Sequence, residues 1–224
     1  MGQSGDSSRH DRRSMRATFL TLIAILFAAV PATAQDTIKI VAFGDSLTAG
    51  YQLAPGDGFA DVLQAELAKR DYDVEVIDAG VSGDTTSAGL ARLDWSVPDD
   101  ADAVILELGG NDALRGIDPA STKANLDQML TRLSERDLPV LLAGMLAPPN
   151  MGPDYEAAFN PIFAELAREH DAIYYPFFLE GVAGNPEYGL GDGVHPNAAG
   201  VGVIVDGILP KVEALIERVR ERAG

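Results

Sequence analysis

Short apolar runs alternate with longer helical patterns through most of this chain. The apolar runs, which predict strands, span residues 37–43, 74–77, 103–108, 139–145 and 172–175. The helical patterns span residues 58–70, 121–136 (with Ser121 as N-cap), 155–170 and 198–222, the last being one helix or a pair broken at Pro210. This alternation predicts a single α/β domain, in which a parallel sheet carries helices on both faces.

Ligands of such a sheet bind beyond the carboxyl ends of its strands. Polar residues directly after strands are therefore the first candidates for chemistry. The sequence places such residues after the first three predicted strands, and a fourth polar segment precedes the last helical pattern.

The segment GDSL at residues 44–47 follows the first strand. On a tight turn, the hydroxyl of Ser46 would be exposed beside backbone N–H groups, which suits a nucleophile; an ordinary turn or N-cap serine is the alternative. After the second strand, Gly83 is either an N–H donor that a ligand can approach or a plain loop glycine. After the third strand, Asn111 is either an oxyanion donor or a residue that satisfies a helix start.

The segment DGVHP at residues 192–196 places a carboxylate three residues before an imidazole. An Asp-x-x-His loop can bring the carboxylate of Asp192 to the Nδ1–H group of His195, which leaves Nε2 free to act as a base. A loop histidine that caps a local backbone group is the alternative. His170 follows a charged helical stretch, and we interpret it as a solvated helix end.

Together these segments resemble the SGNH (GDSL) hydrolase superfamily. Its four blocks match GDSL at 44–47, Gly83, GGND at 109–112 and DGVHP at 192–196, in the family order. The stretches GDSLTAGY, SGDTTSAGLARL and ELGGNDALRG look like the bacterial secreted thioesterase, lysophospholipase and arylesterase branch.

The resemblance implies a three-layer α/β/α fold of flavodoxin type, with a parallel sheet of about five strands. It also implies roles for the block residues. Ser46 would be the nucleophile, His195 the base and Asp192 its orienting group. The backbone N–H groups of Ser46 and Gly83 and the side chain of Asn111 would form the oxyanion hole.

Two loops are candidate walls for an acyl groove. The segment 145–155 follows the fourth strand and mixes apolar residues with Pro and Gly, and the segment 114–119 follows the asparagine block. The candidate substrate-binding residues are Leu114, Ile117, Met145, Pro148, Pro149, Asn150, Met151 and Tyr155. Plain connecting loops are the alternative. The resemblance implies aryl esters, acyl thioesters and lysophospholipids as substrates.

Residues 1–34 predict a secretory signal peptide, which leaves residues 35–224 as the hydrolase domain. Arg12, Arg13 and Arg16 form a basic region before a 14-residue apolar stretch at 17–30, and an A-x-A cleavage site ends at Ala34. An uncleaved anchor is the alternative, although the apolar stretch is short for a membrane span of about 20 residues. We predict a periplasmic or secreted protein without a stable membrane anchor after cleavage. Because acyl-CoA is scarce outside the cytoplasm, a lysophospholipid or a free ester is the favoured substrate.

The net charge of −17 predicts neither a nucleic-acid partner nor attraction to an anionic membrane. The chain has no cysteine, which excludes disulfides and thiolate metal sites. It also has no P-loop, no G-x-G-x-x-G and no HExxH motif. We therefore expect no metal and no cofactor.

Three other functions stay open on the sequence alone. A carbohydrate O-acetylesterase of the same fold would have a small acyl pocket. A secreted, non-catalytic binding module would keep the fold, but it would not need Ser46, Asn111, Asp192 and His195 together. A serine peptidase would cleave unactivated peptides, and the sequence has no peptide-binding signature.

Overall fold

A five-stranded parallel sheet forms the centre of the computed structural model, which describes residues 37–223. The strands are β1 (Ile38–Gly44), β2 (Val74–Gly80), β3 (Ala103–Glu107), β4 (Val140–Ala143) and β5 (Ile173–Tyr175). Their spatial order is β2-β1-β3-β4-β5, and every neighbouring pair is parallel. The predicted α/β class and strand number are confirmed.

Helices cover the sheet as two layers. They are α1 (Phe59–Lys69), α2 (Thr86–Ser96), α3 (Gly110–Leu114), α4 (Pro119–Glu135), α5 (Pro153–Phe159), α6 (Ile162–Glu169) and α7 (Ala198–Ala223). One layer contains α1 packed on α7, and the other contains α4 packed on α2, α5 and α6. The residues of β3 and β4 are all buried, as expected for strands that are covered on both faces.

The carboxyl ends of the five strands are aligned across the sheet. Gly80 of β2 pairs with Gly44 of β1, and Gly44 pairs with Glu107 of β3. The same row continues to Ala143 of β4 and Tyr175 of β5. The loops after these strands therefore begin at one level. The strand order reverses between β1 and β3, which is where open α/β sheets bind ligands.

The start of α4 differs from the prediction because a stronger N-terminal signal precedes Ser121. The helix begins at Pro119, and the side chain of Asp118 accepts a hydrogen bond from the Ala120 N–H at 3.0 Å. Proline suits the first helical turn, because the N–H that it lacks would have no partner there. The capping role predicted for Ser121 is therefore wrong.

The two other long helical patterns each contain a proline, which interrupts the helix in one case and not in the other. The predicted helix over 155–170 is instead two helices, α5 and α6, separated at Asn160 and Pro161. Pro161 cannot donate the backbone hydrogen bond that would continue α5. By contrast, α7 continues through Pro210, which is exposed on the helix surface. The carbonyl of Asp206, which loses its partner there, is also on an exposed residue, so water can satisfy it.

The predicted signal peptide, residues 1–34, lies outside the described residues. Within residues 37–223, no helix combines the length and the apolar character that crossing a bilayer requires.

Candidate active site

Ser46 lies on the turn that follows β1. The backbone of this turn is fixed by hydrogen bonds from the Ala49 N–H to the Asp45 carbonyl at 3.0 Å and from the Tyr51 N–H to the Ser46 carbonyl at 3.1 Å. The Asp45 carboxylate accepts from the Leu47 N–H at 3.0 Å. Ser46 is 8% exposed. The turn therefore holds the serine hydroxyl in place at the carboxyl end of the sheet.

His195 connects Ser46 to Asp192. The Ser46 hydroxyl lies 2.8 Å from Nε2 of His195, and Nδ1 of the same ring lies 2.6 Å from Oδ2 of Asp192. When Nδ1–H donates to the carboxylate, Nε2 is left with the lone pair that accepts the serine proton. The side chain of His195 is 17% exposed, so the ring is largely shielded from solvent.

The carboxylate of Asp192 is held by its own loop. Its Oδ1 accepts from the backbone N–H groups of Val194 and His195, each at 2.9 Å. These bonds, first the His195 N–H, then the His195 ring and the Val194 N–H, lower the pKa of Asp192 to about 2. Asp192 is therefore ionised at every pH where the protein would be expected to work.

His170 has a different environment. It ends α6, and its Nε2 lies 2.7 Å from Oδ1 of Asp127 on α4. The His170 ring lines a small cavity together with residues such as Asp137 and Arg218. Ser46 does not line this cavity. Of the two histidines in the described residues, only His195 contacts a serine hydroxyl.

Asn111 is the second residue of α3, and it follows Gly109 and Gly110, which lie after the end of β3. Its Nδ2 donates a hydrogen bond to Oδ2 of Asp45 at 2.9 Å. Asp45 is 1% exposed and lies next to Ser46 in the chain. This contact turns the NH₂ end of the carboxamide toward the turn that contains Ser46, and the second N–H of the carboxamide remains available for a ligand. Gly109 makes the sharp turn into α3 with φ of 115°, a conformation that favours glycine.

Gly83 lies in the exposed loop after β2, with φ of 88°. Its carbonyl accepts a hydrogen bond from Nη2 of Arg115 at 2.8 Å, and the same nitrogen lies 3.4 Å from Oδ1 of Asn111. Among the described residues, the backbone N–H groups of Ser46 and Gly83 have no hydrogen-bond acceptor. Unpaired N–H groups are the kind of donor that an oxyanion hole requires.

A cavity of about 740 Å³ opens beside Ser46, Asn111 and His195. Most of its lining consists of apolar side chains and glycines. Four of the predicted substrate-binding residues line it: Leu114, Met145, Pro148 and Pro149. A second wall, which the sequence did not indicate, follows β5 and includes Phe177, Leu179, Val182 and Ala183.

The other four predicted substrate-binding residues, Ile117, Asn150, Met151 and Tyr155, do not line the cavity. The Tyr155 hydroxyl donates to the Ile117 carbonyl at 2.7 Å, and its ring stacks on Phe159 at 5.7 Å. Tyr155 therefore stabilises the loop that contains Ile117, and its side chain does not face the cavity. The Met151 methyl group lies against Gly116, and Asn150 is exposed on a short 3-10 turn.

Tyr51 is a further residue of the site that the sequence did not indicate. Its ring centroid lies 4.5 Å from that of His195, with the two planes 38° apart. The Tyr51 ring therefore packs against one side of the imidazole. The sequence shows only that a tyrosine follows Ser46 by five residues. It does not specify the path of the turn, so it does not predict the contact with His195.

No cluster of His, Cys, Asp or Glu within residues 37–223 has the geometry to hold a metal ion. The polar groups at the site are those of hydrolytic chemistry: a hydroxyl, an imidazole, a carboxylate and N–H donors.

The parallel sheet and the contacts from Ser46 through His195 to Asp192 define the class of serine hydrolases with a Ser-His-Asp arrangement. Residues 42–203 match the model of the GDSL-like Lipase/Acylhydrolase family. The chain belongs to this family.

Named relatives agree with this membership. The chain is 37% identical over 203 residues to Esterase TesA of Pseudomonas aeruginosa, covering 90% of this chain and 100% of that protein. It is 35% identical over 199 residues to Thioesterase 1/protease 1/lysophospholipase L1 of Escherichia coli, covering 88% and 92%. The crystal structure of AlinE4, an SGNH-hydrolase family esterase, matches with a TM-score of 0.68 at 44% identity, covering 80% of this chain and 97% of that one. The protein is accordingly a carboxylic ester hydrolase of the SGNH type.

Proposed function

We propose that this protein hydrolyses carboxylic esters and thioesters with apolar acyl groups, among them lysophospholipids, through an acyl-enzyme on Ser46. One observation carries the proposal: the Ser46 hydroxyl lies 2.8 Å from Nε2 of His195 at the edge of a large apolar cavity. A nucleophile, its base and a site for an acyl chain are thus adjacent.

The reaction has two halves. His195 takes the proton of Ser46 while the hydroxyl oxygen attacks the ester carbonyl, and the carbonyl oxygen gains a negative charge. The N–H groups of Ser46 and Gly83 and Nδ2 of Asn111 are the donors proposed to stabilise that charge. The imidazolium then protonates the leaving alcohol or thiol. Water, activated by His195, hydrolyses the acyl-enzyme and releases the acid.

The substrate class follows from the size and lining of the cavity. A volume of about 740 Å³ is within the range of sites that bind drug-sized ligands and far exceeds what an acetyl group fills. Apolar walls from Leu114, Met145 and Leu179 favour an acyl chain over a sugar, which needs hydrogen-bond partners. These features support the ester and lysolipid proposal over a carbohydrate O-acetylesterase. The relative named lysophospholipase L1 supports it as well.

The predicted signal peptide adds a location to the proposal. If residues 1–34 direct export and are removed near Ala34, the enzyme acts in the periplasm or outside the cell. Lysophospholipids and free esters are then the substrates that it would meet.

A substrate series tests this proposal. The purified protein and its Ser46→Ala variant are assayed with p-nitrophenyl esters from acetyl to palmitoyl, and with lysophosphatidylcholine. We expect turnover to increase beyond acetyl, to include the lysolipid and to be lost in Ser46→Ala. Activity on acetyl esters alone would instead favour the O-acetylesterase. Cleavage of unactivated peptides at comparable rates would favour the peptidase.

A further inference from the structure

Glu107 is a charged residue type at the centre of an apolar sheet. It ends β3, whose other residues are Ala103, Val104, Ile105 and Leu106, and it is fully buried at 0% exposure. Burial of a carboxylate costs far more than burial of an apolar side chain of similar size. The proposed chemistry of Ser46 does not use Glu107 directly, so its presence requires another explanation.

The Glu107 carboxyl group contacts the nucleophile turn from below. Its Oε2 accepts from the Thr48 hydroxyl at 2.8 Å and from the Asp45 N–H at 3.3 Å. These two residues flank Ser46 in the chain. Gly44 makes room for the contact, because a Cβ atom there would lie 2.5 Å from Oε2 of Glu107. The strand pairing of Gly44 with Glu107 thus brings the carboxyl group directly under the turn.

Among residues 37–223, no cationic side chain forms an ion pair with Glu107. Its other oxygen, Oε1, is buried without a hydrogen-bond partner in the described residues. Arg92 of α2 donates to the Gly44 carbonyl, but its charge is paired with Asp84 at 2.6 Å. The charged side chain of the turn that acts on Glu107 is that of Asp45, whose negative charge opposes ionisation of Glu107.

Burial first, and then the neighbouring carboxylate of Asp45, raise the pKa of Glu107 well above its ordinary value of 4.5. The burial and the neighbouring carboxylate therefore both favour the protonated form of the Glu107 carboxyl group.

We propose that Glu107 is a positioning residue for the nucleophile, which holds the turn at residues 45–48 by accepting hydrogen bonds from Asp45 and Thr48. The inference rests on the proposed role of Ser46. Asp45 in turn fixes the carboxamide of Asn111. One buried group thereby sets the position of both the nucleophile and an oxyanion donor. Because it does not touch the substrate, its loss should lower kcat and leave KM nearly unchanged.

Two variants distinguish loss of the ionisable group from loss of the hydrogen-bond acceptor at residue 107. Glu107→Gln keeps the shape and an acceptor oxygen without any charge, whereas Glu107→Leu removes the acceptor. We expect Glu107→Gln to retain kcat within about threefold, and Glu107→Leu to lose about 10- to 100-fold in kcat, since a misplacement of about 1 Å can cost that much. The rate at which a fluorophosphonate labels Ser46 should fall in parallel, with KM within about twofold.

The pH dependence of stability gives an independent readout. A group whose pKa is raised on folding stabilises the protein most below its unfolded pKa, and that contribution is lost as the pH rises toward the folded pKa. Glu107→Gln has no ionisable group at this position, so its stability does not change with pH for this reason. The melting temperature of Glu107→Gln minus that of the wild type should therefore increase from about pH 4 to pH 8, the direction that the raised pKa of Glu107 requires.

Each outcome has a definite meaning. Labelling of Glu107→Leu at the wild-type rate, or a loss in Glu107→Gln as large as in Glu107→Leu, would overturn the proposal. If Glu107→Leu does not fold, Thr48→Val decides, because it removes one of the two donors at similar volume: slower labelling supports the proposal and the wild-type rate contradicts it. Labelling that persists in Ser46→Ala would instead show that the proposed nucleophile is wrong.

Discussion

Nη2 of Arg115 donates a hydrogen bond to the Gly83 carbonyl at 2.8 Å, which ties the loop after β2 to the end of α3. The same nitrogen lies 3.4 Å from Oδ1 of Asn111, one helical turn earlier. Two of the proposed oxyanion donors, which come from different loops, thus share one guanidinium group. Arg115 is exposed, so it can be replaced without opening the core.

We expect Arg115→Met to lower kcat by about tenfold, which corresponds to about 1.4 kcal/mol of transition-state stabilisation. KM should change little, because Arg115 does not line the cavity. The melting temperature should also stay close to that of the wild type. Arg132→Met is a matched control, since Arg132 forms an exposed ion pair with Asp94 elsewhere on the protein. Equal kcat values for Arg115→Met and wild type would show that the oxyanion donors hold their positions without Arg115.

Removal of the Asn111 carboxamide should have a larger effect. Loss of one oxyanion donor costs about 10²–10³ in rate, so Asn111→Ala should fall by that factor in kcat with an acetyl or a longer ester. Asn150→Ala serves as its control, because Asn150 is exposed and does not line the cavity. A loss below about threefold in Asn111→Ala would exclude Asn111 from the oxyanion hole.

The loss of activity on the acid side of the pH profile should not involve Asp192. Asp192, with its pKa lowered to about 2 by the His195 N–H, the His195 ring and the Val194 N–H, stays ionised far below neutral pH. Activity should therefore fall as the base at His195 is protonated, with no contribution from Asp192. The contribution of Asp192 to stability is present above its ordinary pKa of 3.8 and is lost only as the pH falls toward 2.

Activities of wild type and Asp192→Asn from about pH 4 to 8 measure the first effect, and their melting temperatures from about pH 2 to 5 measure the second. The variant should lose up to about 10⁴-fold in kcat, because Asn favours the wrong imidazole tautomer. A wild-type rate that stays constant from neutral pH to pH 4 would contradict the base role of His195.

The wall after β5 should set the usable length of the cavity. Ala183 lines the cavity and is also exposed at its rim, so Ala183→Trp should fill the cavity without disturbing the core. We expect decanoyl and longer esters to lose at least about tenfold in kcat/KM, while acetyl ester hydrolysis stays within about twofold, because a short acyl group does not reach the wall. Ala91→Trp, on an exposed position of α2, is the control. An equal change for all chain lengths would place the acyl chain elsewhere.

The sheet was predictable because its strands are nearly continuous apolar runs. The helix α2 was missed, since its apolar positions are few and its buried Arg92 looks like a surface residue. Arg92 is nevertheless 6% exposed, because it donates to the Gly44 and Ala79 carbonyls and pairs with Asp84. Such long-range partners cannot be seen in a local pattern.

The positions of the block residues were predictable because they depend on local sequence order. The rest of the site depends on long-range packing, which a local pattern does not show. Ser46, Asn111 and Asp192 directly follow strands or sit in a short Asp-x-x-His loop, so local order indicates where they lie. Glu107 also gave a signal, as the one charged residue in an apolar strand. The cavity wall at residues 177–186 could not be predicted from the sequence. Its position depends on how a loop without periodicity packs across the sheet.

The most direct test of the account is the mass of the protein after reaction with a fluorophosphonate. We expect a single adduct, mapped by peptide sequencing to Ser46, that forms in parallel with the loss of esterase activity and is absent from Ser46→Ala. His195→Ala should form it far more slowly, because the hydroxyl 2.8 Å from Nε2 would lose its base. An adduct on another residue, or full esterase activity in Ser46→Ala, would contradict the account.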